Sequence, residues 1–282
     1  MATGFGVSER RDPAPRQVPP VATVDVDQEI EDRHASSKIL ADTRAGAAAG
    51  SGASWRRHLH GQPALAGGAA LLIGYLILTA VLVAGGMLIT HPLVHSVGAW
   101  DEHVNSWFAR HRESAGNRLS ADFTFLADTP GIAVVAALAT VIALLLRRAR
   151  LAVMLLVALA TELTVFLTVN YAVGRPRPHV SHVGSTPSTY SWPSGHVAAT
   201  LVLYGGIALI VAVITDRPVP RAAAWLVAVC LVVSVGLSRL YEGEHHPTDA
   251  LAGLILGVGA LWVAKRAIRA WQSAAGTAGR PG

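Results

Sequence analysis

Residues Ser238–Asp249 read SRLYEGEHHPTD and set an arginine, two adjacent histidines and an aspartate between two long apolar runs. Polar groups in such surroundings are costly unless they are paired or have a task. Asp249 follows His245 by four residues, close enough to bond an imidazole at a helix entrance. Pro247 suits the first turn of that helix, where its fixed φ fits and its missing N–H is not needed. A carboxylate on one ring nitrogen fixes the tautomer and leaves the other nitrogen free as a nucleophile. Arg239 offers a planar fork of donors that fits phosphate oxygens. The cluster reads as a phosphate site with a nucleophilic histidine. It also fits a polar interfacial loop with incidental histidines, and on its own it does not separate the two.

The elements that must position these residues are membrane spans. The 282 residues are 52% hydrophobic and only 15% charged, with a mean hydropathy of +0.43. That is too apolar for an ordinary soluble domain. The net charge of +5 does not point to nucleic acid, because many arginines stand at the ends of apolar runs, as in cytoplasmic membrane flanks. The single cysteine, Cys230, excludes an intrachain disulfide and reads as a small packing residue in an apolar run.

Residues 1–60 mix Ala, Pro, Gly and both charges without an apolar period and are expected to be a disordered cytoplasmic tail. No basic start followed by a short apolar core marks a signal peptide there. Six runs are apolar enough to span: Ala64–Ile89, Gly131–Leu146, Leu151–Val173, His196–Ile214, Ala222–Leu237 and Ala250–Ala264. The second and last are short and are expected to extend into their flanks. Between the first two, Ser96–Thr129 repeats Val104, Trp107 and Phe108 at helical spacing and is expected to lie on the membrane surface as an amphipathic helix. The fold class is therefore an all-α bundle, with the membrane domain over residues 61–270 and a disordered end over 271–282.

Arg147, Arg148, Arg150, Arg217, Arg221, Lys265, Arg266 and Arg269 fall on one side of six spans, with Arg56 and Arg57. The positive-inside rule makes that side cytoplasmic, together with both termini. Ser238–Asp249 is then extracytoplasmic. Arg110, Arg112 and Arg118 weaken this asymmetry without reversing it.

Two further polar clusters share the outer side. Gly174–Pro178 reads GRPRP, and Pro193–His196 reads PSGH at the start of the fourth span. Free N–H groups and the positive dipole end of a helix point outward at Ser194, Gly195 and His196. A second helix begins the same way behind His245. Two helix N-termini with Arg177 and Arg239 make an anion site on general grounds.

In these motifs the chain resembles the phosphatidic acid phosphatase type 2 superfamily, whose signature runs K-x6-R-P, P-S-G-H, S-R-x5-H-x3-D. Pro193–His196 carries the second part intact, and Ser238, Arg239, His245 and Asp249 carry the third at its spacing. Arg177–Pro178 match the end of the first part, but Asn170 stands at the lysine position. The resemblance covers roughly Ala64–Ala264. It implies that His245 forms a phosphohistidine, that Asp249 orients it and that His196 protonates the leaving oxygen. It also implies that Arg177, Arg239, Ser194 and the Gly195 N–H bind phosphate. No metal and no cofactor is implied, and no metal-ligand spacing beyond His245–His246 appears.

Asn170 is the departure. A unit charge lost about 4 Å from a phosphate removes on the order of 4 kcal/mol at an effective dielectric of 20. Asn170 still donates a hydrogen bond, and Arg175, in the same loop, is expected to replace the missing charge. Glu162, mid-span, reads as a bundle-facing structural group. Glu242, Glu244 and His246 read as solvated loop polarity, and His179 and His182 as surface residues. Trp192 fits the mouth of the site or an interfacial anchor equally well. Gly205–Gly206 and Gly253/Gly257 have the spacing of close helix packing.

The function expected is an integral-membrane lipid phosphate phosphatase. Polyprenyl diphosphate, phosphatidic acid and phosphatidylglycerol phosphate are its candidate substrates. Two alternatives remain: transfer of a phosphoryl or phospho-headgroup to an alcohol, and non-catalytic binding of lipid phosphates.

Overall fold

The computed structural model describes residues 62–184 and 186–278. The expected N-terminal tail lies outside the described residues. Their regular structure is all helical, without a β-strand among the described residues. The helices are α1 (Pro63–Thr90), α2 (Ala99–Arg110), α3 (Ser114–Ala127), α4 (Thr129–Leu145) and α5 (Ala149–Val173). They continue with α6 (Gly195–Thr200), α7 (Gly206–Ile214), α8 (Pro218–Tyr241) and α9 (Pro247–Ala278). A π-helical turn, Leu201–Gly205, joins α6 and α7 into one span. Five helical runs are long and apolar enough to cross a membrane, and α3 with α4, bent by 48°, makes a sixth if the pair is counted as one span. Five of the expected spans lie within these runs, and the second, Gly131–Leu146, falls on α4, which ends one residue earlier, at Leu145.

These helices are apolar on nearly every side, as a lipid-embedded helix must be. Leu145 is 77% exposed and Leu226 65%, so the exterior is a hydrocarbon surface that suits lipid tails. Cys230 lies on that exterior and not in a packed seam, which corrects its expected role. Lipid is as apolar as leucine, so association of the helices rests on close packing and interhelical bonds. The cluster of Leu78, Leu82, Val165, Val169, Trp192, Ala198, Ala252 and Leu256 joins α1, α5, α6 and α9 through such packing. At Gly253 a Cβ would lie 2.6 Å from the Ser194 carbonyl oxygen. Only glycine lets α9 approach the N-terminus of α6 that closely. Gly257 repeats the contact one turn on, against Ala198 and Leu201.

The surface helix expected over Ser96–Thr129 is divided. The break at His111–Glu113 coincides with anchors on the end of α8. The Arg112 Nε donates to the Tyr241 carbonyl at 2.7 Å, and the Glu113 N–H donates to the Tyr241 hydroxyl at 2.8 Å. From there α3 packs along α8 and feeds α4 through an elbow at Asp128. Asp128 is extended, and Pro130 stands in the first turn of α4, which accounts for the bend. At the other end, α9 continues through Ala278, past the boundary expected at residue 270.

Candidate active site

Alternation of the spans brings four segments to one end of the bundle: α2, the 174–194 loop, the first turn of α6 and the α8–α9 turn. His245 stands in that turn and is 2% exposed. Its Nδ1 is 2.7 Å from the Ser191 carbonyl oxygen. A carbonyl only accepts, so Nδ1 carries the proton and Nε2 keeps its lone pair. The Asp249 carboxylate lies 3.9 Å from the same nitrogen. The expected orienting bond from Asp249 is therefore corrected: a backbone carbonyl orients the ring. Burial, with Arg239, Arg177 and His196 nearby, holds the His245 imidazolium well below the ordinary histidine range. The ring is neutral, as a nucleophile requires.

Asp249 has a different set of partners. It receives Arg175 Nη1 at 2.6 Å on one oxygen, and the His246 N–H at 2.7 Å with His246 Nδ1 at 2.9 Å on the other. Arg175 also reaches Asp101 at 2.7 Å and the Thr248 hydroxyl at 2.8 Å. Held between two carboxylates and 5% exposed, Arg175 has no free charge to give a phosphate, contrary to expectation. Asn170 is committed too. Its Nδ2 donates to the Tyr190 and Trp192 carbonyls at 2.8 and 3.0 Å, and its Oδ1 accepts from the Tyr190 N–H at 3.0 Å. It clamps α5 to the loop before α6 and leaves phosphate binding to others. Trp192, 5% exposed, donates its Nε1 proton to the Leu82 carbonyl at 3.0 Å and is not an interfacial anchor.

His196 opens α6, with its ring centroid 6.4 Å from that of His245. Its Nε2 meets Asp128 Oδ1 at 3.1 Å, so the elbow between α3 and α4 holds this ring. Ser194 is fully buried, yet its hydroxyl has no partner among the described residues. The Nε of Arg239 is likewise buried and unpartnered. Unsatisfied buried donors are rare and call for a reason. Here they stand on the two motifs expected to hold an anion, beside the N-terminus of the span opened by α6.

Arg177 gives its Nε and Nη2 protons to the Thr189 carbonyl and hydroxyl, at 3.1 and 3.2 Å, and both arginines also face carboxylates. Arg239 Nη1 meets Glu242 at 2.7 Å, and Arg177 Nη1 meets Glu244 at 2.8 Å. Glu244 Oε2 also lies 3.8 Å from Arg239 Nη2. Glu242 and Glu244 are 4% and 1% exposed, which overturns their reading as solvated loop residues. Gly243 between them has φ +77°, a conformation glycine adopts without strain, and it turns both carboxylates inward. Burial pushes the Glu242 carboxyl up, against Arg239 and Thr124, which favour its ionised form.

His246 was also expected to be solvated and is 2% exposed. Its Nε2 meets Glu102 at 3.1 Å. Burial alone would lower its pKa, but its bonds to Asp249 and Glu102 outweigh burial and raise it. His179, on the surface as expected, caps Glu102 at 2.9 Å, whereas His182 reaches in to 3.4 Å from Glu244. Asp101, Asn105, Asp128 and Ser191 were not anticipated in the site. Asn105 donates to the His245 carbonyl at 2.9 Å. A cavity of about 240 Å³ opens on the Glu102–His246 side, and neither His245 nor His196 lines it. Among the described residues, no group of three or more His, Cys, Asp or Glu is arranged to hold a metal ion.

Two histidines, two arginines and two unpartnered donors thus gather at one end of an α-helical bundle. Residues 151–273 match the model of the PAP2 superfamily. Over 71 residues it is 35% identical to an undecaprenyl-diphosphatase of Sulfolobus acidocaldarius, a match covering 25% of this chain and 30% of that protein. The crystal structure of a transmembrane PAP2 type phosphatidylglycerolphosphate phosphatase from Bacillus subtilis aligns with a TM-score of 0.54. That alignment covers 71% of this chain and 94% of the other, and at 22% identity it establishes a shared fold.

Proposed function

We propose that the protein is a lipid phosphate phosphatase working through a phosphohistidine. The observation that carries this reading is the pairing of two histidines with ring centroids 6.4 Å apart, one of them tautomerically locked by Ser191. His245 Nε2 attacks phosphorus, and the bond from phosphorus to the lipid-side oxygen breaks. His196 gives that oxygen a proton. Water then attacks the phosphohistidine and gives its proton to His196, and the P–N bond breaks to release inorganic phosphate. Arg177, Arg239, Ser194 and the Gly195 N–H stabilise the equatorial oxygens, the larger part of such catalysis.

The apolar exterior beside the site favours a phosphate with a long tail. Polyprenyl diphosphate, phosphatidylglycerol phosphate and phosphatidic acid are the substrates to try, and the names of the two relatives support the first two. The basic residues at the far end of the spans support an extracytoplasmic site. The test is phosphate release from these lipids by purified protein in detergent, with and without EDTA and an alcohol acceptor. Release that survives EDTA is expected. Loss restored by a divalent metal would sink the metal-free mechanism. A phosphorylated alcohol in place of free phosphate would make the protein a transferase. Binding without turnover would make it a lipid-phosphate-binding protein.

A further inference from the structure

The carboxylate of Glu244 spans the two arginines that the proposed reaction assigns to phosphate. One oxygen, Oε2, lies 2.8 Å from Arg177 Nη1 and 3.8 Å from Arg239 Nη2. The other accepts from the Thr186 hydroxyl at 3.1 Å. The Arg177 Nη1 also donates to the Glu244 backbone carbonyl at 2.6 Å, so the arm is anchored at its base. With Glu242 on Arg239, two cations face two buried carboxylates. Ser194 Oγ and Arg239 Nε meanwhile have no partner among the described residues. A phosphate that engages those donors and both guanidinium groups competes with Glu244 for the latter.

We propose that Glu244 is a specificity-determining residue, an internal anion that admits terminal phosphates and refuses phosphodiesters. The proposal rests on the assignment of Arg177 and Arg239 to phosphate. A carboxylate brings one negative charge and two oxygens. A phosphodiester brings the same, so its exchange for Glu244 gains nothing electrostatically and loses the covalent tethering of the side chain. A terminal phosphate brings about −1.5 to −2 and three acceptor oxygens, and it wins the exchange. In a bilayer crowded with phosphodiester headgroups, this keeps the site open for the scarce lipids that end in phosphate. Selectivity of this kind comes from a repulsive element placed against the unwanted ligand.

The experiment is calorimetric binding of inorganic phosphate and of dimethyl phosphate to the purified full chain in detergent. The wild type is expected to bind phosphate and to bind dimethyl phosphate weakly or not at all. Glu244→Gln removes the competing charge at nearly the same shape. It is expected to tighten dimethyl phosphate by about tenfold or more, the worth of one charge-assisted bond, and to narrow the phosphate preference. An unchanged ratio of the two affinities in a folded Glu244→Gln protein overturns the proposal. Infrared difference spectra of the wild type supply a second measurement that needs no variant. Phosphate should shift a carboxylate stretch, because Glu244 leaves its arginines, and a phosphate-saturated protein with no carboxylate change overturns the proposal. A protein that hydrolyses lipid phosphates with an unchanged ratio sinks Glu244 alone. Ranked binding that Glu244→Gln abolishes, without any turnover, sinks the phosphatase reading and supports Glu244.

Discussion

His245 Nδ1 lies 2.7 Å from the Ser191 carbonyl oxygen and 3.9 Å from the Asp249 carboxylate. The His245 ring is therefore aligned by a loop that α5 and α6 hold in place, and the loop is held by Asn170. Asp249 stands one step behind, as the shared acceptor of Arg175 and His246. Its replacement should be felt first in stability. Asp249→Asn leaves Arg175 with one carboxylate and costs about 3–5 kcal/mol by the usual result of breaking a buried pair. Thermal unfolding in detergent checks this. A variant that melts like the wild type but cannot form phosphoenzyme would return Asp249 to direct orientation of His245.

Asn170→Lys should not restore a family charge. It removes three bonds to Tyr190 and Trp192 and buries an ammonium beside the Tyr190 N–H, which then has no acceptor there. Loss of melting temperature and of turnover is expected together. Asn170→Ala should cost about 1–3 kcal/mol, for the carbonyls and N–H left unsatisfied. A stable Asn170→Lys protein with faster turnover would show that the side chain reaches the phosphate.

Arg175→Ala strands Asp101 and Asp249, both fully buried, and should be among the most destabilising single changes, at about 3–5 kcal/mol. Coupling it with Asp101→Asn should recover part of that loss, which a double-mutant cycle on melting data would read. Independent, additive losses would mean that the two residues do not act as a pair.

His246 gives a dependence on pH with a definite sign. Its folded pKa is raised, so it binds a proton more readily in the folded state than in the unfolded one. The stability it contributes is fully present below about pH 6.5, the ordinary histidine value, and is lost as pH rises through the folded value. Asp249 and Glu102 supply this effect and Arg175 opposes it. The gap in melting temperature between wild type and His246→Gln should be wide at acid pH and narrow on the alkaline side. A gap that is constant across this range would show that His246 does not titrate in the fold.

His196 and Asp128 should separate substrates by leaving group. His196→Ala removes the acid, so an aryl phosphate with a good leaving group should lose much less rate than a lipid phosphate. Asp128→Asn should move the same ratio in the same direction by a smaller factor, since it only loosens the ring. Equal losses on both substrates would assign His196 to binding. His245→Ala, in contrast, should abolish phosphoenzyme on either.

How far these residues were legible in the sequence depended on whether their partners were close in the chain. The spans were readable because apolar runs report directly on lipid. His245, His196, Arg177 and Arg239 were readable because their motifs are short and local. Glu242 and Glu244 were misread because nothing local shows that Gly243 turns both inward, although glycine between two acids was a signal. Asp101 and Asn105 lay in an amphipathic stretch whose polar face was assumed to meet water. It meets Arg175 and His245 instead, through bonds to residues more than seventy positions away. Asn170 was read for the charge it lacks. Its amide, which bonds three backbone groups, was the feature to notice.

The twelve residues of α2 belong to two environments. Trp100 and Trp107, 53% and 49% exposed, are side chains of the kind that settle at the headgroup level of a bilayer. Asp101 and Asn105, on the same helix, are fully buried and bonded to Arg175 and the His245 carbonyl. A helix with its tryptophans at that level would tie the depth of His245, through Asn105, to the lipid surface, as a float sets the depth of a hook. Under the proposed function, a change in headgroup level would then bear on the position of His245 through α2 itself, with no ligand between them.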